Sequence, residues 1–221
     1  FVQDLYDRKK SSLTASAYTK DLDQLLKYLF DCGVTAAEEM SSQHLEEFLQ
    51  NLYDAKKLSP KSISRKINSI KSFSAFLVAR SYLDTNLAKD IKHPQLITKA
   101  PKIFSKTECL ALREVARKDP KTLAMVELML QTGIRISELA GLEVDHLDLG
   151  KLSTLFIPQR ESQKERVIPL NNKAREALQK FIETERQIDS TFLFTTRSGK
   201  AILIRNIRSS MERLFKRAGL K

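Results

Sequence analysis

Hydrophobic residues recur at helical spacing through most of this chain and at alternate positions in only two short pieces, which sets the fold class. Between residues 14 and 30, Tyr18, Leu22, Leu25, Leu26 and Leu29 line one helical face, with Ser11, Ser12 and Thr14 as capping residues. A second helix is expected over 42–57, with Leu45, Phe48, Leu49 and Leu52 inward. A third, over 60–82, opens at Ser59 and Pro60, a capping residue before proline at the first helical position. Residues 87–91 form a short fourth. Ser105 and Glu108 have capping-box spacing and start a helix to about 118; others are expected over 122–131, 172–186 and 203–218, with Gly219 closing the last. The period changes at 153–158 and 166–169, which read as two strands around a polar hairpin, and Phe192, Leu193 and Phe194 form a further short strand or a buried loop. The fold class is mainly α with a small β-sheet.

Pro94 and Pro101 interrupt helix in a segment that also carries Lys92, Lys99 and Lys102. That segment divides the chain into a helical domain over 1–91, a basic linker over 92–102 and an α/β domain over 103–221. The 221 residues carry 38 Lys and Arg against 27 Asp and Glu, a formal net charge of +11. The excess is not spread evenly. Residues 55–83 hold seven basic side chains and no acidic one, and residues 195–221 hold eight against the single Glu212. A solvated surface intersperses both signs, so two such stretches point to a polyanion, and nucleic acid is the commonest. No apolar run reaches the about 18 residues that a membrane span needs, and mean hydropathy is −0.33. The first ten residues lack an apolar signal core, and a start at Phe rather than Met suggests a processed or trimmed end. Cys32 and Cys109, far apart and without CxxC spacing, argue against a disulfide framework or zinc finger and for a reducing cytoplasm.

Two features carry candidate chemistry. On the third helix the apolar side is Ile63, Ile67, Ile70, Phe73 and Leu77, and the other side carries Lys61, Ser62, Arg65, Asn68, Ser69 and Ser72. Small hydroxyl and amide groups beside cations, with no acid among them, suit approach to phosphates and base edges. In the second half, Arg135 follows Gly133 at a tight turn in apolar surroundings, where its guanidinium offers a fork of donors to phosphate. Glu138, three residues on, is placed to pair with and orient it. By itself such a pair at a turn is more often structural.

The order of features adds to this. The stretch TGIRISELAGLEVDHLDL, a hairpin ending KERVIPL and a following helix resemble the catalytic domain of tyrosine recombinases, the Xer and phage-integrase family. Upstream, SPKSISRKINSIKSF, a short NLA segment and a proline-bearing linker resemble that family's helical, SAM-like core-binding domain. The resemblance covers nearly the whole chain. It implies that Arg135 grips the scissile phosphate and stabilises the pentavalent transition state. It also implies a hairpin lysine as general acid to the leaving 5′ oxygen. Counting back from KERVIPL puts that position at Glu161, between Arg160 and Lys164. Lys164 is favoured over Arg160 because lysine gives up a proton far more readily than arginine.

The resemblance stops short of the family's His-x-x-Arg element and nucleophilic tyrosine. None of the three histidines precedes an arginine at that spacing, and all five tyrosines, from Tyr6 to Tyr82, lie upstream of Arg135. The expectation is a truncated site-specific recombinase, its catalytic domain incomplete, that binds DNA without cleaving it. Its parent would act through a 3′-phosphotyrosyl link and a Holliday junction, with no metal or cofactor. The partners expected are double-stranded DNA with an inverted-repeat site and, for the full-length protein, a homo- or hetero-tetramer on paired sites, in the cytoplasm and away from membranes. Two basic modules on a basic linker would clamp the duplex, and Arg205 and Arg208 on the last helix would add phosphate contacts, with Arg213 and Arg217 as further candidates. A non-catalytic DNA-binding or regulatory protein on the same scaffold is the alternative. An RNA-binding protein is a third reading, disfavoured by the lack of an aromatic stacking signature.

Overall fold

Capping residues and apolar stripes place the helices almost where the periodicity does. A computed structural model describes residues 1–54, 58–96, 100–160, 163–186 and 189–220. The chain separates into two units, residues 1–100 and 101–221, a division that falls inside the proline-bearing segment 92–102.

The first unit is helical. It comprises α1 (Val2–Asp7), α2 (Ser12–Asp31), α3 (Ser42–Asp54) and α4 (Pro60–Ala79). The Ser11 hydroxyl caps α2 by accepting from the Thr14 N–H at 3.2 Å, and Ser59 caps α4 by accepting from the Ser62 N–H at 3.3 Å. Leu22, Leu25 and Leu29 of α2 meet Leu45, Phe48, Leu49 and Leu52 of α3 and Ile63, Ile67, Ile70 and Leu77 of α4 in one core, closed by Ala88 and Ile91.

Three details depart from the periodicity. Leu26, expected inside, is exposed, while Asp21 on the same helix is buried. Residues 87–90 make a turn rather than a short helix, because the Asn86 side chain accepts the Ala88 N–H at 3.0 Å and competes with helical bonding. Ser69, placed by the helical wheel on the polar side of α4, is fully buried against α2.

The second unit contains α5 (Lys106–Ala116), α6 (Pro120–Thr132), α7 (Ile136–Ala140), β1 (Leu147–Asp148), β2 (Thr154–Ile157), β3 (Arg166–Pro169), α8 (Asn172–Thr184) and α9 (Ile204–Arg217). Ser105 and Glu108 form the expected reciprocal box at the head of α5, with bonds of 3.2 and 2.8 Å. Asp119 caps α6 and Pro120 takes its first position. The two anticipated strands pair antiparallel from Thr154 opposite Pro169 to Ile157 opposite Arg166. The two-residue β1, too short to leave a periodic signal, adds a third strand beside β2. Residues 192–194 are a largely buried loop. The Leu193 N–H donates to the Leu142 carbonyl at 2.8 Å, and Phe194 stacks on Phe181 of α8 with ring centres 5.2 Å apart. Leu112, Leu128, Leu139, Leu155 and Leu178 lie at the centre of this second core. Cys32 is exposed in the first unit and Cys109 half-buried in the second, both as free thiols. No helix among the described residues is long and apolar enough to cross a membrane.

Candidate phosphate site and nucleic-acid interface

The site begins where α6 stops. Gly133 adopts a left-handed φ of +62°, the usual glycine solution for leaving a helix, and the chain turns at once into α7. Ile134 is buried and anchors the turn, so Arg135, in extended conformation at the head of α7, is left with its side chain 60% exposed. The Arg135 N–H donates to Glu138 Oε2 at 2.9 Å, and its Nη1 lies 3.5 Å from Glu138 Oε1. Nη1 also donates to Gln163 Oε1 across the β2–β3 hairpin at 2.7 Å. No hydrogen bond engages its Nε or Nη2 among the described residues, which leaves an outward edge for an anion.

Glu138 is the buried hinge of this arrangement. Arg166, the first residue of β3, grips it with two parallel bonds, Nη1 to Oε1 at 2.8 Å and Nη2 to Oε2 at 2.7 Å. The Arg166 guanidinium, then the Arg135 N–H and the charge of Arg135, hold the Glu138 carboxyl down at about 2 against the pull of burial. One carboxylate therefore ties α7 to the sheet and fixes where Arg135 starts. The sequence indicated the Arg135–Glu138 relation, but the stronger partner is Arg166. Its only local signal is a charged residue at the mouth of an alternating strand. Gln163 carries no signal, because its partner lies across the fold.

The two hairpin cations differ in their surroundings. Arg160 turns back onto the turn after α7, donating to the carbonyls of Ser137 at 3.1 Å and Gly141 at 3.3 Å. The guanidinium occupies the space a side chain at Gly141 would need. Lys164 is exposed, with no hydrogen bond or ion pair among the described residues. Glu161, the position given by counting back from KERVIPL, lies outside the described residues.

The basic faces are built separately in each unit. On α4, Lys61, Arg65 and Asn68 are exposed and Ser72 half-buried, a strip at helical spacing. Ser62 is half-buried and tied into the cap of α4 through Ser59, 3.0 Å from hydroxyl to hydroxyl. Ser69 is the correction: its hydroxyl donates to the Lys66 carbonyl at 2.8 Å and lies 3.5 Å from Asp21, so it is internal. On α9, Ile207, Met211 and Leu214 face the core and Arg205, Arg208, Arg213 and Arg217 are exposed. Arg208 edges an apolar groove of about 460 Å³ lined by Phe104, Ile136, Met211 and Phe215, whereas Arg213 is 3.3 Å from the Ser210 hydroxyl.

Comparison with known proteins places this geometry. The model of the phage integrase family matches residues 102–221, and that of the phage integrase N-terminal SAM-like domain matches residues 1–81. The chain belongs to the phage integrase family. Among curated relatives it is 29% identical to a tyrosine recombinase of Pseudothermotoga lettingae over 191 residues, 86% of this chain and 66% of that one. It is 34% identical to tyrosine recombinase XerD of Oceanobacillus iheyensis over 186 residues, 81% of this chain and 61% of that one. The chain thus spans roughly two thirds of the length of such relatives. Of solved structures, a lambda integrase (75–356) dimer bound to a COC′ core site covers all of this chain and 79% of its own, at 17% identity and a TM-score of 0.77. XerA recombinase covers all of it and 75% of its own, at 22% identity and a TM-score of 0.52. At these identities the likeness establishes the integrase fold: a SAM-like helical domain followed by a catalytic domain with a small sheet.

Proposed function

We propose that this chain binds duplex DNA and grips a phosphodiester for site-specific recombination. The observation that carries the reading is Arg135, seated by the buried Glu138 with its outer donors open, at the turn between α6 and α7 of a phage integrase family member. An arginine held this way meets developing negative charge on a pentavalent phosphate without having to reorganise. Lys164 is the proposed general acid to the leaving 5′ oxygen. Its exposure supports that role, while the carbonyls of Ser137 and Gly141 occupy Arg160. Lys61, Ser62, Arg65, Asn68 and Ser72 on α4 and Arg205 and Arg208 on α9 are the proposed DNA contacts, with Ser69 withdrawn because it is buried.

The chemical step in this reading is tyrosine attack, giving a 3′-phosphotyrosyl link that conserves bond energy for rejoining. Residues 103–221 contain no tyrosine, so this chain is expected to bind without cleaving. The proposed target is an inverted-repeat site, bound in the cytoplasm by a homo- or hetero-tetramer of the full-length protein on paired sites. A lambda integrase tetramer bound to a Holliday junction supports the assembly by analogy of fold. Titrating the chain onto labelled duplex tests the binding. The affinity is expected to fall by about a hundredfold or more between roughly 50 and 200 mM salt, with no covalent adduct in denaturing gels. Salt-insensitive binding, or none, overturns the reading. The rival reading is a non-catalytic DNA-binding or regulatory protein on the same scaffold. A suicide substrate offered to the product of the whole gene separates the two, because only a recombinase traps an adduct.

A further inference from the structure

We propose that Asp21 of α2 is a positioning residue that presents Arg65 of α4 to the DNA backbone, an assignment that rests on the DNA-binding reading above. Asp21 has its side chain 3% exposed, an expensive place for a carboxylate unless donors surround it. Its two oxygens have different tasks. Oδ1 accepts from Lys66 Nζ at 2.8 Å, and Lys66, itself buried, also donates to Gln24 Oε1 at 2.8 Å. That pair would satisfy the needs of a buried charge couple. Oδ2 is turned instead to a surface residue: it accepts from Arg65 Nη1, with the Ser69 hydroxyl 3.5 Å away.

Arg65 sits in the middle of the exposed strip that runs Lys61, Arg65, Asn68 and Ser72. Among the described residues it bonds through Nη1 alone, to Asp21 and to the Ala17 carbonyl at 3.4 Å. Nε and Nη2 are left without a partner among the described residues. A flexible arginine loses rotamer freedom when it binds phosphate. One already held by a rigid carboxylate has met most of that cost, and its planar fork keeps a second edge for the ligand. The carboxylate lies beneath the arginine in the interior, so its negative charge is kept back from the surface. This also explains why a stretch free of acids, residues 55–83, takes its one buried counter-charge from another helix.

The double substitution D21N/K66M tests the assignment, because it removes one negative and one positive charge and leaves net charge unchanged. The probe is a fluorescein-labelled duplex of about 30 base pairs, read by anisotropy across a salt series. If Asp21 positions Arg65, the double variant loses about tenfold in affinity, its salt slope drops by about one, as in R65A, and adding R65A costs nothing more. R65K serves as a second probe on a half-exposed site that tolerates change. It keeps the charge but cannot hold the carboxylate and a phosphate with one planar group, so it is expected to bind nearly as weakly as R65A. A folded D21N/K66M that binds like the parent, losses that add independently to R65A, or an R65K that binds like the parent each overturn the proposal. Failure of the unsubstituted chain to bind duplex overturns the DNA-binding reading itself, a different result.

Discussion

At the scale of single residues, the second unit depends on one buried carboxylate with two arginines. Because the folded protein holds Glu138 ionised down to about 2, whereas the free side chain titrates near 4.5, the unfolded chain takes up its proton first as acid is added. The contribution of Glu138 is therefore complete above about pH 4.5 and is lost as the pH falls toward 2, an effect on the order of 3 kcal/mol. Urea melts at a series of pH values should show this decline for the second unit, and in E138Q the decline should be shallower, with Glu108, held low by the Ser105 N–H, keeping its own part. The same variant leaves two guanidinium groups facing a neutral amide and should lose about 3 kcal/mol at neutral pH. At this scale the sequence was informative only locally. Arg135 and Glu138 are three residues apart and could be paired on paper. Arg166 and Gln163 reach them only because the hairpin folds back, a register that no local pattern encodes. Ser69 misled for a related reason: its helical angle is polar, but Asp21 and Lys66 carry a polar pocket inward at that point, and a hydroxyl fits it.

At the scale of elements, most helix limits were legible because their causes are local. Ser11, Ser59 and Ser105 each place an oxygen on a backbone N–H at the start of a helix. Asp119 does the same for α6 but was not read, so that helix was expected from 122 and begins at Pro120. The two-residue β1 and the turn at 87–90 were not legible, since neither is long enough to show a period. The break between α6 and α7 is the element on which the site depends most. Gly133 stands at φ +62° with open space where a side chain would go. G133A therefore meets backbone strain rather than a clash. It should cost about 1 kcal/mol in thermal unfolding while leaving the core packed. A loss several times larger would mean that the turn is held by something other than the left-handed residue. The bond from Arg135 to Gln163 crosses from α7 to the hairpin, so in Q163A the arginine loses its outer partner while α7 and its Glu138 anchor remain. Its stability should change by less than about 0.5 kcal/mol, as for an exposed site.

At the scale of the whole molecule, two separate hydrophobic cores underlie the two family matches. The units divide after residue 100, next to Pro101. How the charge divides between the units was readable, since it needs only counting. The cores make a distinct prediction. Leu25 is fully buried in the first, and L25A should remove about 2–5 kcal/mol from that unit. Calorimetry should show the loss in the transition of residues 1–100, with the transition of the other unit unmoved. A shift of both would mean that the two cores melt as one. The cysteines add a practical consequence. With one thiol in each unit and no others in the chain, Cys32 and Cys109 accept a donor and an acceptor dye without any engineered site. Their energy transfer makes the unaltered sequence its own ruler, able to report whether the spacing of the two units changes when duplex is added.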